Sequence, residues 1–533
     1  MASAVYETLN RSWKGACKAL FGREVGELSG FEPWLEEYAQ HPPRFEKSFF
    51  SGREVEVSIE DYAPGSRFIS FDEADFGKKF RPLTINEIKD IDGIIGAIGE
   101  RMQYTGNLVL GNSANVERSG SVVDSHFVWK SSRVSDSKYI ACSQDARYCE
   151  HCFGLGVSSK SSFCVRSTSG RMTRCFETLN CELLTDAYYC ALVQNSQECM
   201  FSFGCRSKNF IIGNLQLPKD KYMGVKRKLL AEMADLLERD KRIFSLFDVI
   251  EQAGRRGGKA AKIAPAKEGE FDKQAIEKAF SKTTGLVLGR ELSGIDSYSK
   301  FLFGHVPAPR RSKSPLTGKE VMVAGFHAYF MDKYDIGKRT VSQREMDEIG
   351  NTAISLKDAE GLGMDPEMLG AALGPVAYAC FQKDNGAITN VKNCAVVMDS
   401  SDCYEGTAYV NSKKCSHCSW PRESEYTFGS AIAWSCAFCL KCFYSKKLTR
   451  CFECDNCESC SDTYYSHNCE NAREAMFCFN AKNQAYSIGN APLPQDKYKS
   501  AKAAVLEQIA TELECKKALK WDIFSLAAGK RGK

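Results

Sequence analysis

The chain has 533 residues, 43% hydrophobic and 26% charged, a globular balance and too long for one ordinary core. Its 71 basic and 67 acidic residues leave a net charge of +4, which gives no global case for nucleic acid or an acidic membrane surface. No apolar run approaches the roughly 20 residues needed to cross a bilayer, and the opening segment MASAVYETLNRSWKGACKALFG lacks the apolar stretch of a secretory signal. A cytoplasmic protein without membrane insertion is therefore expected, its 25 cysteines mostly free thiols.

Residues 1–106 are rich in aromatics and punctuated by Pro and Gly, which predicts a small α+β region. A stripe of period three follows. Ser113, Ser119, Ser125, Ser131, Ser137 and Ser143 alternate with Val116, Val122, Val128, Val134 and Ile140, and the register runs on into Cys149, Cys152 and Cys164. Written in rows of twelve, Phe127 stands over Tyr139, His151 and Phe163. A regular strand points alternate residues inward, so a period of three requires a bend beside nearly every inward residue. The expectation over 107–218 is a narrow β-solenoid of about twelve residues per coil. The apolar spacing of Leu229, Leu230, Met233, Leu236 and Leu237 predicts a capping helix over 219–253, and GRRGGKAAKIAPAKEGE at 254–270 reads as a basic linker.

The pattern then repeats. TRCFETLNCELLTDAYY from Thr173 matches TRCFECDNCESCSDTYY from Thr449, and Ile212-Gly213-Asn214 matches Ile488-Gly489-Asn490. Gly22-Arg23-Glu24 answers Gly289-Arg290-Glu291, and Gly52-Arg53-Glu54-Val55 answers Gly318-Lys319-Glu320-Val321. The second copy divides into an α+β region at 271–387, a cysteine-rich solenoid at 388–494, and a capping helix with a basic tail at 495–533. The expected fold class is mainly β with α caps, a tandem duplication of a narrow β-solenoid.

Two motifs carry candidate metal chemistry. In a twelve-residue coil Cys439 lies over Cys451 and Cys442 over Cys454, a spacing that could bring four sulfurs to one zinc or iron–sulfur centre. Against this, cysteine continues in phase to Cys457, Cys460, Cys469 and Cys478, and the first copy has Thr178 where the second has Cys454. Cysteine as a small hydrophobe filling a thin core is the preferred reading, with no cofactor. Cys-x-His-Cys occurs in both copies, as Cys149, His151, Cys152 and as Cys415, His417, Cys418, and supplies at most three ligands per copy. Stacked pairs such as Cys403/Cys415 fall within disulfide reach only in an oxidising compartment. The aromatic column Phe127, Tyr139, His151 and Phe163 is read as covered by a neighbouring element, or else as a binding face. No phosphate loop, dinucleotide fingerprint or HExxH motif is present.

The Cys-x2-Cys-x2-Cys runs followed by YYSHNCENAREAMFCFNAKNQAYSIGN resemble a group of uncharacterised cysteine-rich repeat proteins of poorly studied bacteria and archaea. The resemblance covers the solenoid segments only and implies no activity. The expected function is a non-enzymatic structural or binding scaffold with a protein partner. The alternative is a cysteine-ligated zinc or iron–sulfur redox protein. A weaker one is an RNA- or ribosome-associated factor using the basic linkers.

Overall fold

The structure, a computed structural model, describes the chain apart from residues 1–2, 39–42, 59–60, 155–160, 163–164, 166–173, 178–181, 257–262, 265–268, 444–448, 454, 456–460 and 529–533, and apart from the side chains of 150–152, 161–162, 175 and 182–183.

Left-handed backbone sets the period of three. Asn115, Arg118, Ser121, Asp124, Phe127, Lys130, Arg133, Asp136 and Tyr139 all have φ between 45° and 60°, and each immediately precedes a residue of the stripe. Every such non-glycine residue costs about 1 kcal/mol, so neighbours must compensate. The serines do part of this. The amides of Ser125, Ser131, Ser137 and Ser143 donate to the hydroxyls twelve residues earlier, Ser113, Ser119, Ser125 and Ser131, at 3.0–3.1 Å. Ser119, Ser125, Ser131, Ser137 and Ser143 in turn donate to the carbonyl two residues before, at 2.7–2.8 Å. In the second copy cysteine takes the same corner. Cys415, Cys418, Cys469 and Cys478 donate to the carbonyls of Lys413, Ser416, His467 and Met476, and Cys418 Sγ accepts from the Ser430 amide. A thiol here replaces a hydroxyl in a defined hydrogen-bonding role, which explains why cysteine and serine share one register.

The bends also limit the strands. Parallel pairing at an offset of twelve runs through both copies, for example Ile140 beside Val128 and Cys152, and Cys403 beside Cys415. Yet most strands are two to five residues long, and among the described residues they form nine separate sheets of two to five strands. Helix accounts for 33% of the described residues and strand for 29%. The expected class, mainly β and built on solenoids, is therefore corrected to mixed α/β with many small, mostly parallel sheets. The bends break most of each stripe into short strands, Lys383–Val410 with 28 residues being the exception, and the helices outweigh the strands.

Helix Ala4–Phe21 starts at Ser3, whose hydroxyl accepts from the Tyr6 amide, and ends on Gly22 at φ +82°. Helix Lys273–Leu288 is closed in the same way by Asp272 and Gly289 at φ +77°. The duplicated Gly-Arg-Glu motif is thus a helix C-terminus. Each helix packs on the strands of its own copy, Trp13 against Phe153 and Phe280 against Phe428. The helices Lys219–Asp240 and Gln495–Lys516 bury Tyr222, Leu229, Met233 and Leu237, and Tyr498, Val505, Ile509 and Leu513. Among the described residues no helix is long and apolar enough to cross a membrane.

The segments between first helix and stripe cross over. The Arg44–Gly106 stretch of the first copy binds the far end of the second. Tyr104 Oη donates to the Ile523 carbonyl at 2.5 Å, and Arg101 Nη1 donates to that of Gly489 at 2.7 Å. Reciprocally, the Ile354 amide donates to the Gly213 carbonyl at 3.0 Å, and Asn214 Nδ2 to that of Ile349 at 3.1 Å. The repeated Ile-Gly-Asn motif serves this join. A Cβ on Gly213 would come within 2.4 Å of Ile354 Cδ1, and one on Gly489 within 2.5 Å of Ile98 Cγ2. Asn214 pairs with both the amide and the carbonyl of Phe203, and Asn490 does the same with Phe479, so a side-chain amide stands in for the next strand at each edge.

Candidate functional site

Of the proposed four-sulfur set, Cys439, Cys442 and Cys451 lie in one buried cluster with Ala433 and Cys436, and Cys454 lies outside the described residues. Cys442 Sγ donates to the carbonyls of Leu440 and Cys451, at 3.5 and 3.2 Å. Burial pushes the Cys439 thiol well up from its ordinary value. In the second Cys-x-His-Cys motif the side chains diverge. Cys415 and Cys418 bond inward, whereas His417 Nε2 meets Ser299 Oγ at 3.1 Å and its ring packs 4.6 Å from Phe303. Burial lowers the His417 ring to about 4. In the first motif Cys149 Sγ meets the Arg147 carbonyl at 3.5 Å, and the side chains of His151 and Cys152 lie outside the described residues. Among the described residues no group of three or more His, Cys, Asp or Glu is placed to hold a metal ion. Phe127 and Tyr139 stack at 5.4 Å and are half-buried against the core that helix Ala4–Phe21 completes, and Phe163 lies outside the described residues.

These contacts set an expected result. Cys439→Ser and Cys451→Ser should each cost about 1–2 kcal/mol, the same as Cys469→Ala, and the purified protein should hold metal well below one ion per chain. Loss of folding in either serine variant together with stoichiometric zinc or an iron–sulfur absorbance would overturn the packing account.

Sequence reasoning missed a buried acid–base cluster where the first copy's crossing segment meets the second copy. Asp455 and His467 are fully buried and paired, Oδ2 to Nδ1, at 2.7 Å. His467 Nε2 accepts from the Thr105 amide at 2.8 Å, which places the ring proton on Nδ1, and Tyr62 Oη donates to Asp455 Oδ2 at 2.9 Å. Beside them Glu453 accepts from the Ile523 amide at 2.7 Å and faces Lys441 Nζ at 3.7 Å. Burial pushes Glu453 up to about 7 against the pull of Lys441. His305 lies between Asp61 at 3.3 Å and Asp522 at 3.5 Å. Burial works against its charged form, but the two carboxylates outweigh it and raise the ring to about 9.

No family model, curated protein or solved structure matches this chain. The duplication supplies its own comparison. At the offset of 276 that aligns the copies here, Leu179 and Ala191 stand where Asp455 and His467 do. At these positions the sequence of one copy is apolar and that of the other is the hydrogen-bonded Asp455–His467 pair. Asp455 and His467 are sealed from solvent and fasten the first copy's crossing segment to the second copy through Tyr62 and Thr105.

The cleft beside this fastener is different. It is a narrow space with room for about one water, lined by Glu56, Ser58, Tyr62, Thr105, Asn107 and Ser121, so Tyr62 and Thr105 belong to both. Strand Glu54–Val57 carries Glu56, only 2% exposed, with its carboxylate hydrogen-bonded by Ser58 Oγ at 3.0 and 3.1 Å. Gly120 makes the room, since a Cβ there would lie 1.4 Å from Glu56 Oε2. Burial pushes Glu56 up to about 7, opposed by Ser58 and Arg133. In the second copy the matching residue is Met322, packed against Ala324, Ala395, Val396 and Ala408.

Proposed function

We propose that the chain is a non-enzymatic binding scaffold that presents a rigid surface to a protein partner. The observation that carries this reading is the hairpin tip of the first copy. Phe49 and Phe50, with rings 5.6 Å apart, are 55% and 57% exposed. Their backbone is held in place. Ser48 Oγ accepts from the amides of Phe50 and Ser51, each at 3.2 Å, and donates to Glu73 at 2.5 Å. The second copy repeats the frame through Ser314, bonded to Leu316, Thr317 and Glu345, but bears Pro315 and Leu316, with Leu316 packed on the core. One tip therefore turns its large apolar side chain onto the core, while its duplicate offers two aromatic rings to water. An ordered aromatic pair suits a partner surface, because little side-chain or loop freedom remains to be lost on binding.

The test is quantitative capture of a partner from the native cell by wild type and by the Phe49→Ser/Phe50→Ser variant. Binding should weaken at least tenfold, about 1.4 kcal/mol, with no change in thermal stability. Equal capture by the variant would reject the surface. The alternative of a cysteine-ligated zinc or iron–sulfur protein is separated from this reading by the metal analysis above.

A further inference from the structure

The two copies also meet at a pair of arginines. Arg147 belongs to the first copy, and its guanidinium carbon lies 4.8 Å from the ring centre of Tyr148 and 4.6 Å from that of Trp434 in the second copy. Arg422, also of the second copy, sets its guanidinium carbon 4.1 Å from the centre of the same Trp434 ring. Two lasting positive charges are therefore held against one indole. Cation–π attraction offsets part of their desolvation, but guanidinium N–H groups still need acceptors, and few are present. Arg147 Nη2 donates to Tyr148 Oη at 3.1 Å, whereas its Nε is buried without a hydrogen-bond partner. Asp136 Oδ2 stands 3.9 Å from that Nε, beyond hydrogen-bonding distance. Among the described residues no carboxylate pairs with the half-buried Arg422, and burial, then the neighbouring Arg147 charge, lower it from its ordinary value. The same fold closes an arginine when it needs to, since Arg133 Nη2 donates to Asp145 at 3.1 Å.

The unmet need is for an anion with several acceptors. A guanidinium fork takes two oxygens at once from a carboxylate or a phosphate. Two forks against one ring suit the group with more oxygens and more charge. A carboxylate offers two oxygens and one charge, whereas a phosphate monoester offers three terminal oxygens and nearly two charges near neutral pH. The place is open to a solute, because Tyr148 is 47% exposed and the Arg147 side chain 31%. The guanidiniums are also held in advance, Arg147 by two rings and a hydrogen bond and Arg422 by one ring, so little side-chain freedom is lost on binding.

We propose that Arg147 and Arg422, positioned by Trp434, bind the phosphate group of a small ligand, as the free ion or as a monoester. The site is distinct from the Phe49–Phe50 surface and stands or falls without it. The test is isothermal titration of the full chain at about pH 8 and low salt, where a phosphate monoester carries both charges. Inorganic phosphate and ethyl phosphate are the probes, and acetate is the singly charged control. Wild type should bind phosphate saturably and acetate at least tenfold more weakly. Tighter binding of ethyl phosphate assigns the site to an esterified phosphate, and equal or tighter binding of inorganic phosphate assigns it to the free ion. Arg422→Gln should lose at least tenfold in affinity for both probes. Arg422→Lys, which keeps the charge and not the fork, should fall between, and it serves as the reporting variant should Arg422→Gln not fold. Arg239→Gln removes one charge from an exposed arginine paired with Asp240 and should bind as wild type does. No saturable phosphate binding by wild type, equal binding of acetate, unchanged affinity in a folded Arg422→Gln or Arg422→Lys variant, or an equal loss in Arg239→Gln would each overturn the proposal.

Discussion

Replacing Asp455 by alanine is expected to destabilise the protein by about 3 kcal/mol or more, the cost of breaking a buried pair. The loss leaves the His467 Nδ1–H and the Tyr62 hydroxyl without the acceptor they share, and each orphaned buried donor costs about 1–3 kcal/mol. His467→Ala should be similarly damaging, because Asp455 would stay buried with only part of its hydrogen bonding. The double variant Asp455→Leu/His467→Ala installs the residues that the first copy carries, Leu179 and Ala191. It should cost clearly less than the sum of the single changes, with a coupling of about 2 kcal/mol. Denaturant unfolding of the four proteins measures this directly. Strict additivity would show that Asp455 and His467 do not act as a unit.

The contributions of Glu453, Glu56 and His305 to stability should fall as pH rises from about 5 to about 9, opposed below about 6.5 by His417 and His327, which burial lowers to about 4 and about 3. Glu453 and Glu56 each take about 7 in the folded chain against an ordinary 4.5. Between those values the folded protein keeps a proton that the unfolded chain has released, so unfolding releases protons and higher pH favours it. At about 1.4 kcal/mol per unit, each carboxyl contributes on the order of 3 kcal/mol that is present below the unfolded value and lost as pH passes 7. His305 acts in the same direction over a later window. Its ring, raised to about 9, adds stability fully present below its ordinary 6.5 and lost as pH rises through 9. Thermal unfolding across this range should show Glu453→Gln flattening the slope between pH 5 and 7, and His305→Gln flattening it between 7 and 9. Variants that leave the wild-type slope unchanged over these intervals would contradict the assignment.

Both results concern groups that the linear sequence keeps far apart. Tyr62, Thr105, His305, Lys441, Asp455, His467 and Asp522 come from crossing segments of two copies, and no spacing rule joins them. A partial signal was present. Asp455 against Leu179, His467 against Ala191 and Glu56 against Met322 are ionisable-for-apolar exchanges between otherwise matching stretches. Such exchanges mark where one copy took on a burden the other lacks, but not which residue answers it.

What the sequence determined by itself was local and periodic. Serine at every sixth position dictates a corner whose hydroxyl bridges a carbonyl two residues back and an amide twelve ahead, and cysteine in the same phase does the same work. The duplicated Gly-Arg-Glu and Ile-Gly-Asn motifs likewise mark a helix end, where glycine takes φ near +80° without strain, and a sheet edge, where a Cβ would strike a close neighbour. The period did not reveal how short the strands would be, and this is why a mainly β reading gave way to a mixed α/β one. Only the tertiary structure decided that each copy's middle segment closes the other copy's end. Edge closure is a matter of which surfaces meet, and two copies with the same edge motif are equally served by their own segment or by the other's until packing selects. The same meeting of surfaces surrounds Asp455 and His467 with hydrogen-bond partners, and it leaves Glu56 facing a cleft.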